Sequence, residues 1–272
     1  MKNIFFPIIF FSFISLANAE RITDKIHSLS PGMKGQDHLL YLISGRVIRV
    51  SQTEFSPEDF EAGQMIEAEV DKKNQLESIS SLPDETLPEE SLPNAEADFE
   101  QDATVLSSYA EANSIFKGMN RSYKKNTECT DRAHVWSYEE WKKRGLISRK
   151  VFMFFTNTYI RRYNYHWWFH VSPYTLVGEQ EYIMDRRFTS APRTRKNWSD
   201  IFIYSKRSCP VTTYAHYRRN KNGPEHCFHV KSSMYNRLPY HVRMQEDYGR
   251  VQTRFNSSEV NFSYRAFNRR GR

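Results

Sequence analysis

The chain has 272 residues, is 15% aromatic and carries a formal net charge of +7. Its length leaves room for one full domain and a small one, and no long apolar stretch follows the first 19 residues, which excludes a protein with several membrane spans. The net charge hides a split. Residues 54–102 hold 16 Asp or Glu and 2 Lys, a net of −14, whereas residues 103–272 hold 31 Lys or Arg and 13 Asp or Glu, a net of +18. Two parts with different tasks are expected.

Residues 1–19 read as a secretory signal peptide. Lys2 supplies the basic start, IFFPIIFFSFISL the apolar run, and Ala17-Asn18-Ala19 the small residues before a cleavage point. A secreted or periplasmic protein follows, with no membrane contact after signal removal. Residues 20–81 are expected to form a small β-rich N-terminal domain or pro-region. Within it, the polar stretch 20–35 reads as a loose leader. HLLYLISGRVIRV (38–50) reads as strands around Gly45, and residues 63–80 as a hairpin turning at Asp71–Asn74. Residues 82–104, with three Leu-Pro pairs in a dense acidic run, read as an extended linker.

Residues 105–272 are expected to form the second domain. Residues 107–123 fit a helix or an entry loop. Residues 128–144 fit a helix with Cys129 in its first turn and Asn126 or Thr127 as N-cap. Ala133, Val135 and Trp136 supply its buried stripe, and Gly145 its stop. Residues 151–160, 165–177 and 179–188 read as strands, and 198–209 as a helix. The remainder, rich in Tyr, Arg and Asn, carries no clear period.

Export permits disulfides. Cys209 and Cys227 close a short loop, and bridging them would contribute about 3 kcal/mol. Cys129 is then left free, as a nucleophile must be. The start of a helix favours a thiolate and offers N–H groups to an oxyanion. Arg132, one turn on, adds to that field if it faces the same way. His170 lies in a strand whose period places His166, Trp168 and His170 on one face. Trp167, Phe169 and Val171 make a purely apolar second face. His170 is the candidate base and His166 its competitor. Asp185, at the end of an apolar strand, either orients an imidazole or pairs with Arg186 or Arg187.

Cysteine on a helix, histidine on a strand and aspartate on the next is the layout of papain-like and transglutaminase-like hydrolases. The sequence more narrowly resembles the bacterial protein-glutaminases. The resemblance rests on C-x-x-R-A-H from Cys129 to His134, on His170-Val171 after aromatics, and on D-x-x-F-x-S-x-P from Asp185 to Pro192 with Trp198 downstream. It departs at Arg186-Arg187, where the family usually has proline next, in having fewer cysteines, and in its tail beyond residue 210.

The resemblance implies an α+β fold with a papain-like core. Its cysteine would sit at a helix N-terminus, beside an antiparallel sheet carrying the histidine and aspartate. It implies a catalytic triad of Cys129, His170 and Asp185, no cofactor, and deamidation of glutamine in protein or peptide substrates through a thioester. It also allows a removable pro-segment, here the acidic part docked on the basic one. A transglutaminase or a cell-wall amidase or endopeptidase would use the same triad. A basic, aromatic-rich module binding anionic polymers is the non-enzymatic rival. There is no nucleic-acid motif, and Cys209, His226, Cys227 and His229 do not fit a standard zinc spacing.

Overall fold

The structure, a computed structural model, describes residues 19–82, 103–120, 127–250 and 252–268. The expected signal peptide and most of the acidic linker lie outside the described residues. The fold mixes helices with two largely antiparallel sheets. The first contains β1 (Glu20–Ser30), β2 (His38–Leu42), β3 (Val47–Val50), β4 (Met65–Val70) and β5 (Leu76–Ser81), in the order β3-β2-β1-β4-β5. Then come β6 (Val105–Leu106), α1 (Tyr109–Gly118), α2 (Cys129–Arg144), β7 (Arg149–Phe155), α3 (Asn157–Tyr163), β8 (Phe169–Val177), β9 (Gln180–Ile183) and β10 (Arg193–Thr194). The chain continues through α4 (Arg195–Ser199), α5 (Tyr214–Asn220), β11 (Cys227–Ser233), α6 (Pro239–Tyr248) and α7 (Ser257–Asn268). The second sheet runs β10-β9-β8-β7-β11, and β6 joins β8 in parallel.

The expected strands within 38–50 form as β2 and β3, and the hairpin expected over 63–80 forms as β4 and β5. The stretch 20–35 does not behave as a leader: β1 is the central strand of the first sheet, paired with both β2 and β4. Only Ile22 and Ile26 of its polar-looking sequence are large buried apolar anchors, so neither period was visible. Every residue of β2 is buried, as a continuous apolar run permits when both faces are covered. Leu40 and Leu42 join Ile22, Ile26, Ile48 and Val50 in the first sheet's own core. Leu39 and Tyr41, on the opposite face, join the larger core with Phe154, Trp168 and Cys129. Each such fully buried side chain contributes roughly 1.5–3 kcal/mol, so β2 welds the two sheets together.

In the second part, α2 starts and stops as its sequence indicates, with Gly145 at φ 65° as its left-handed cap. Its N-cap is Glu128 rather than Asn126 or Thr127, and Glu128 makes no side-chain cap hydrogen bond. The strand expected over 151–160 ends at Phe155. Thr156 there accepts the Tyr159 N–H and starts α3. The helix expected over 198–209 is only the short α4, capped by Thr194. Past it, Phe202 and Ile203 are buried while Ile201 and Tyr204 are exposed. Cys209 is then tied back to Cys227 by a disulfide, as expected. The two faces of β8 also differ from the simple alternation. Trp168, Phe169, His170 and Val171 are all buried, and Trp167 alone of the apolar set is exposed. β8 is an interior strand with α2 packed on it, so both faces are covered.

Candidate active site

Cys129 is the first residue of α2, and α2 packs on β8. The thiol is free and 2% exposed, and the main-chain amide of Val171, next to His170, approaches it. The sheet register brings the other two residues together. Tyr174 of β8 pairs with Ile183 of β9, so two residues further on the antiparallel ladder sets Asp185 one pleat from His170 on the same face. His170 Nε2 lies 2.7 Å from Asp185 Oδ2. The Trp198 indole N–H donates to that same oxygen at 2.9 Å. Arg187 contributes only its main-chain N–H to Oδ1, at 3.3 Å. The Arg186 guanidinium lies over the Phe116 ring and donates to the Lys117 carbonyl at 3.1 Å. Asp185 therefore serves the imidazole, not the adjacent arginine side chains.

Burial alone would raise the Asp185 carboxyl. The charge and hydrogen bond of His170, the Trp198 N–H and the charge of Arg132 carry it below its ordinary value instead. Cys129 goes the other way. Burial pushes the thiol up to about 12, against the lowering field of Arg132 and with a further push from Glu128. Arg132 does face the site, but the helix-start field expected to favour a thiolate is outweighed by desolvation in this closed arrangement.

The walls around His170 are Phe202, Phe188 and Trp198, with ring centroids at 4.6, 5.1 and 5.5 Å. The tryptophans beside it in sequence do other work: Trp167 points outward, and Trp168 stacks on His27 of β1 at 4.7 Å. His166, the competitor, is half-buried, and its main-chain carbonyl accepts the Val47 N–H at 2.9 Å. Sequence reasoning attached no role to Trp198 or Glu128. Trp198 is within the resembling motif, but nothing in sequence aims its N–H at Asp185. Glu128 had only its place beside Cys129 as a signal. A surface cleft lined by Glu181, Arg195, Ser199, His229 and Lys231 lies away from the thiol, and Glu181 already pairs there with Arg195 and Lys231.

Residues 104–202 match the family described as Glutaminase. This segment is glutaminase-like. It contains Cys129, His170 and Asp185, and the resemblance to the protein-glutaminases read from the sequence stands. Three solved structures are similar. A mutant of pro-protein-glutaminase has 11% identity over 81% of this chain and 85% of that one, with a TM-score of 0.49. The crystal structure of pro-protein-glutaminase has 11% identity over 81% and 84%, with a TM-score of 0.46. The NMR structure of protein-glutaminase from Chryseobacterium proteolyticum has 14% identity over 59% and 86%, with a TM-score of 0.37. No curated protein matches the chain. Among the described residues, no helix is long and apolar enough to cross a membrane.

Proposed function

We propose that the chain is an exported thiol-dependent deamidase that converts glutamine side chains of proteins or peptides to glutamate. The observation that carries this reading is the 2.7 Å contact of His170 Nε2 with a buried Asp185, beside a free thiol at a helix start, all inside the glutaminase-like segment. With Nε2 held by Asp185, Nδ1 is the imidazole nitrogen left to exchange a proton with Cys129. The thiolate attacks the carboxamide carbon, and main-chain N–H groups of the first turn of α2, which lack intrahelical acceptors, receive the oxyanion. The tetrahedral centre collapses as His170 protonates the departing ammonia. Water, deprotonated by the same imidazole, then hydrolyses the thioester to glutamate and frees the thiol.

We further infer that residues 20 to about 104 are a pro-segment that restrains this chemistry. Residues 45–47 lie antiparallel to 166–168 through Trp168 N–H to Gly45 O and Val47 N–H to His166 O, both 2.9 Å. The Trp168 indole donates to the Leu42 carbonyl at 3.0 Å. Gly45 suits this contact: its φ is +97°, and a Cβ there would lie 3.0 Å from the Phe169 ring. Among the described residues the ion pairs of Arg21, Arg46 and Arg49 stay within residues 20–81. The polar side-chain bonds to the rest of the chain are uncharged or end on carbonyls, as when Arg49 donates to the Ile160 and Arg161 carbonyls at 3.4 and 3.2 Å and Asn157 donates to Ser30 Oγ at 2.9 Å.

Ammonia release from a glutamine-rich protein, measured before and after protease cleavage within residues 82–104, tests both parts. The expected result is low release before cleavage, a large gain after it, and a switch to amine incorporation only if a primary amine outcompetes water. No release under either condition removes the deamidase reading. Equal release under both removes the pro-segment reading.

A further inference from the structure

Glu128 is the residue immediately before the thiol, at the N-cap of a 16-residue helix, yet its side chain caps nothing. Its Oε2 is fully buried and has no hydrogen-bond partner among the described residues. A buried carboxylate oxygen without a donor is unfavourable, and an uncharged cap such as serine would serve the helix better. The side chain lies close to the N-terminal segment: Asp24 of β1 and Arg46 of the β2–β3 turn are among the charges that act on it, with Asp131 and Arg132 from its own helix. Asp24 is itself engaged by the main-chain N–H groups of Lys25 and Ser44, at 2.7 and 3.3 Å. Glu128 thus lies near both the nucleophile and the N-terminal segment.

We propose that Glu128 is a specificity-determining residue that reads the carboxamide of a bound glutamine, its carboxylate accepting from the side-chain NH₂ while Cys129 addresses the carbon. This rests on the deamidase and pro-segment readings above, because the space it faces opens only when the segment leaves. The chemistry is selective in a useful direction. A primary amide brings two N–H donors to the unpartnered oxygen. The glutamate product brings a carboxylate and no donor, so it meets like charge and is expelled. A site built around a donor rejects the analogue that lacks it far more strongly than an apolar pocket does. Burial, then Asp24 and Asp131, push the Glu128 carboxyl up to about 8 in the closed chain, against Arg132 and Arg46. Departure of the segment removes both Asp24 and much of the burial and leaves the carboxylate ionised beside the thiol.

The test uses the full chain cleaved within residues 82–104, as wild type, Glu128→Ala and Glu128→Gln, with a glutamine peptide as substrate and the matching glutamate peptide as inhibitor. Glu128→Ala is expected to raise KM for the glutamine peptide about 10-fold or more with a smaller change in kcat. Both variants are expected to bind the glutamate peptide roughly 10-fold more tightly than wild type, a gain that a purely structural role would not produce. Glu128→Gln, which keeps the shape and an acceptor oxygen, is expected to retain most of the wild-type KM and serves if the alanine variant does not fold. Unchanged or weaker inhibition by the glutamate peptide in an active Glu128→Gln enzyme overturns this proposal alone. Wild type that releases no ammonia overturns it together with the deamidase reading.

Discussion

Helix α2 contributes to two buried polar clusters, and they are built differently. At its start, the Cys129 thiol meets the main-chain N–H of Val171, the neighbour of a histidine whose Nε2 meets a carboxylate at 2.7 Å, with the Trp198 N–H on the same oxygen. Five residues on, His134 is fully buried too, but its Nδ1 faces the amine of Lys150 at 3.1 Å, and Lys150 donates to the Asn236 carbonyl at 2.8 Å. Burial, then Lys150, Arg237 and His241, push His134 well below its ordinary range, and burial likewise lowers Lys150 far below a normal amine. In the proposed function, the first cluster holds and moves a proton. The second fixes α2 against β7 and the C-terminal helices. Arg237 and Ser263 complete that anchoring by donating to Asp131 Oδ1, at 2.7 Å from the Arg237 Nη2 and 3.0 Å from the Ser263 Oγ. Burial of a histidine is therefore no mark of a site; what sets His170 apart is the carboxylate on its Nε2.

Substitutions should separate the clusters cleanly. Cys129→Ala should lower glutamine turnover by roughly 10⁴-fold or more, and His170→Ala should match it, since the two act as a unit; both are read as ammonia release by the cleaved chain. Asp185→Asn should leave the fold intact and lower kcat by about 10²–10⁴-fold, because the amide holds the imidazole in the wrong tautomer. Trp198→Phe removes one charge-assisted hydrogen bond and should cost about 10- to 100-fold in kcat with KM little changed. It should also move the acid limb of the pH–rate profile upward as Asp185 loses a donor. Lys150→Met should do the reverse of these. Turnover should change less than about 2-fold, while the stranded Nδ1 of His134 and carbonyl of Asn236 cost about 1–3 kcal/mol and lower Tm by several degrees. A large loss of kcat in Lys150→Met with unchanged Tm would erase the distinction between the clusters.

The smallest effect concerns Glu128. Its folded value, about 8, lies above the ordinary 4.5, so its contribution to stability is complete below about 4.5 and is lost as pH rises through 8. Glu128→Gln cannot ionise and escapes that loss. The Tm of the variant minus that of the wild type should therefore grow as pH is raised from 5 to 8. A difference that stays flat or shrinks would contradict the burial assigned to this carboxyl.

Much of this was legible in the residues, and for identifiable reasons. Helix α2 was readable from its stripe and its Gly145 stop, and the β4–β5 hairpin from its polar turn, because local pattern and tertiary environment agree there. Pairing of Cys209 with Cys227 followed from compartment and spacing. The central place of β1 was not legible, because a strand buried through two isoleucines among polar residues shows no two-residue alternation. The break at Thr156 was hidden by the apolar residues flanking it, since one capping hydroxyl overrides them. The partner of Asp185 could not be chosen between His170 and Arg186 or Arg187 from sequence. Only the antiparallel register of β8 and β9 decides it, by setting the carboxylate toward the imidazole while Arg186 turns to Phe116. The burial of Cys129 was also out of reach, since it shares a core with Leu39, Tyr41 and Val47 from the first sheet, far away in the chain.

The most direct test of the central claim is to trap the covalent intermediate. The cleaved chain is mixed with a glutamine peptide, quenched in acid within the first turnover and examined by intact mass and peptide mapping. The account predicts an adduct on Cys129 with the mass of the peptide less ammonia in the wild-type chain, and no adduct and no ammonia release in Cys129→Ala. Ammonia release by Cys129→Ala at the wild-type rate would contradict it.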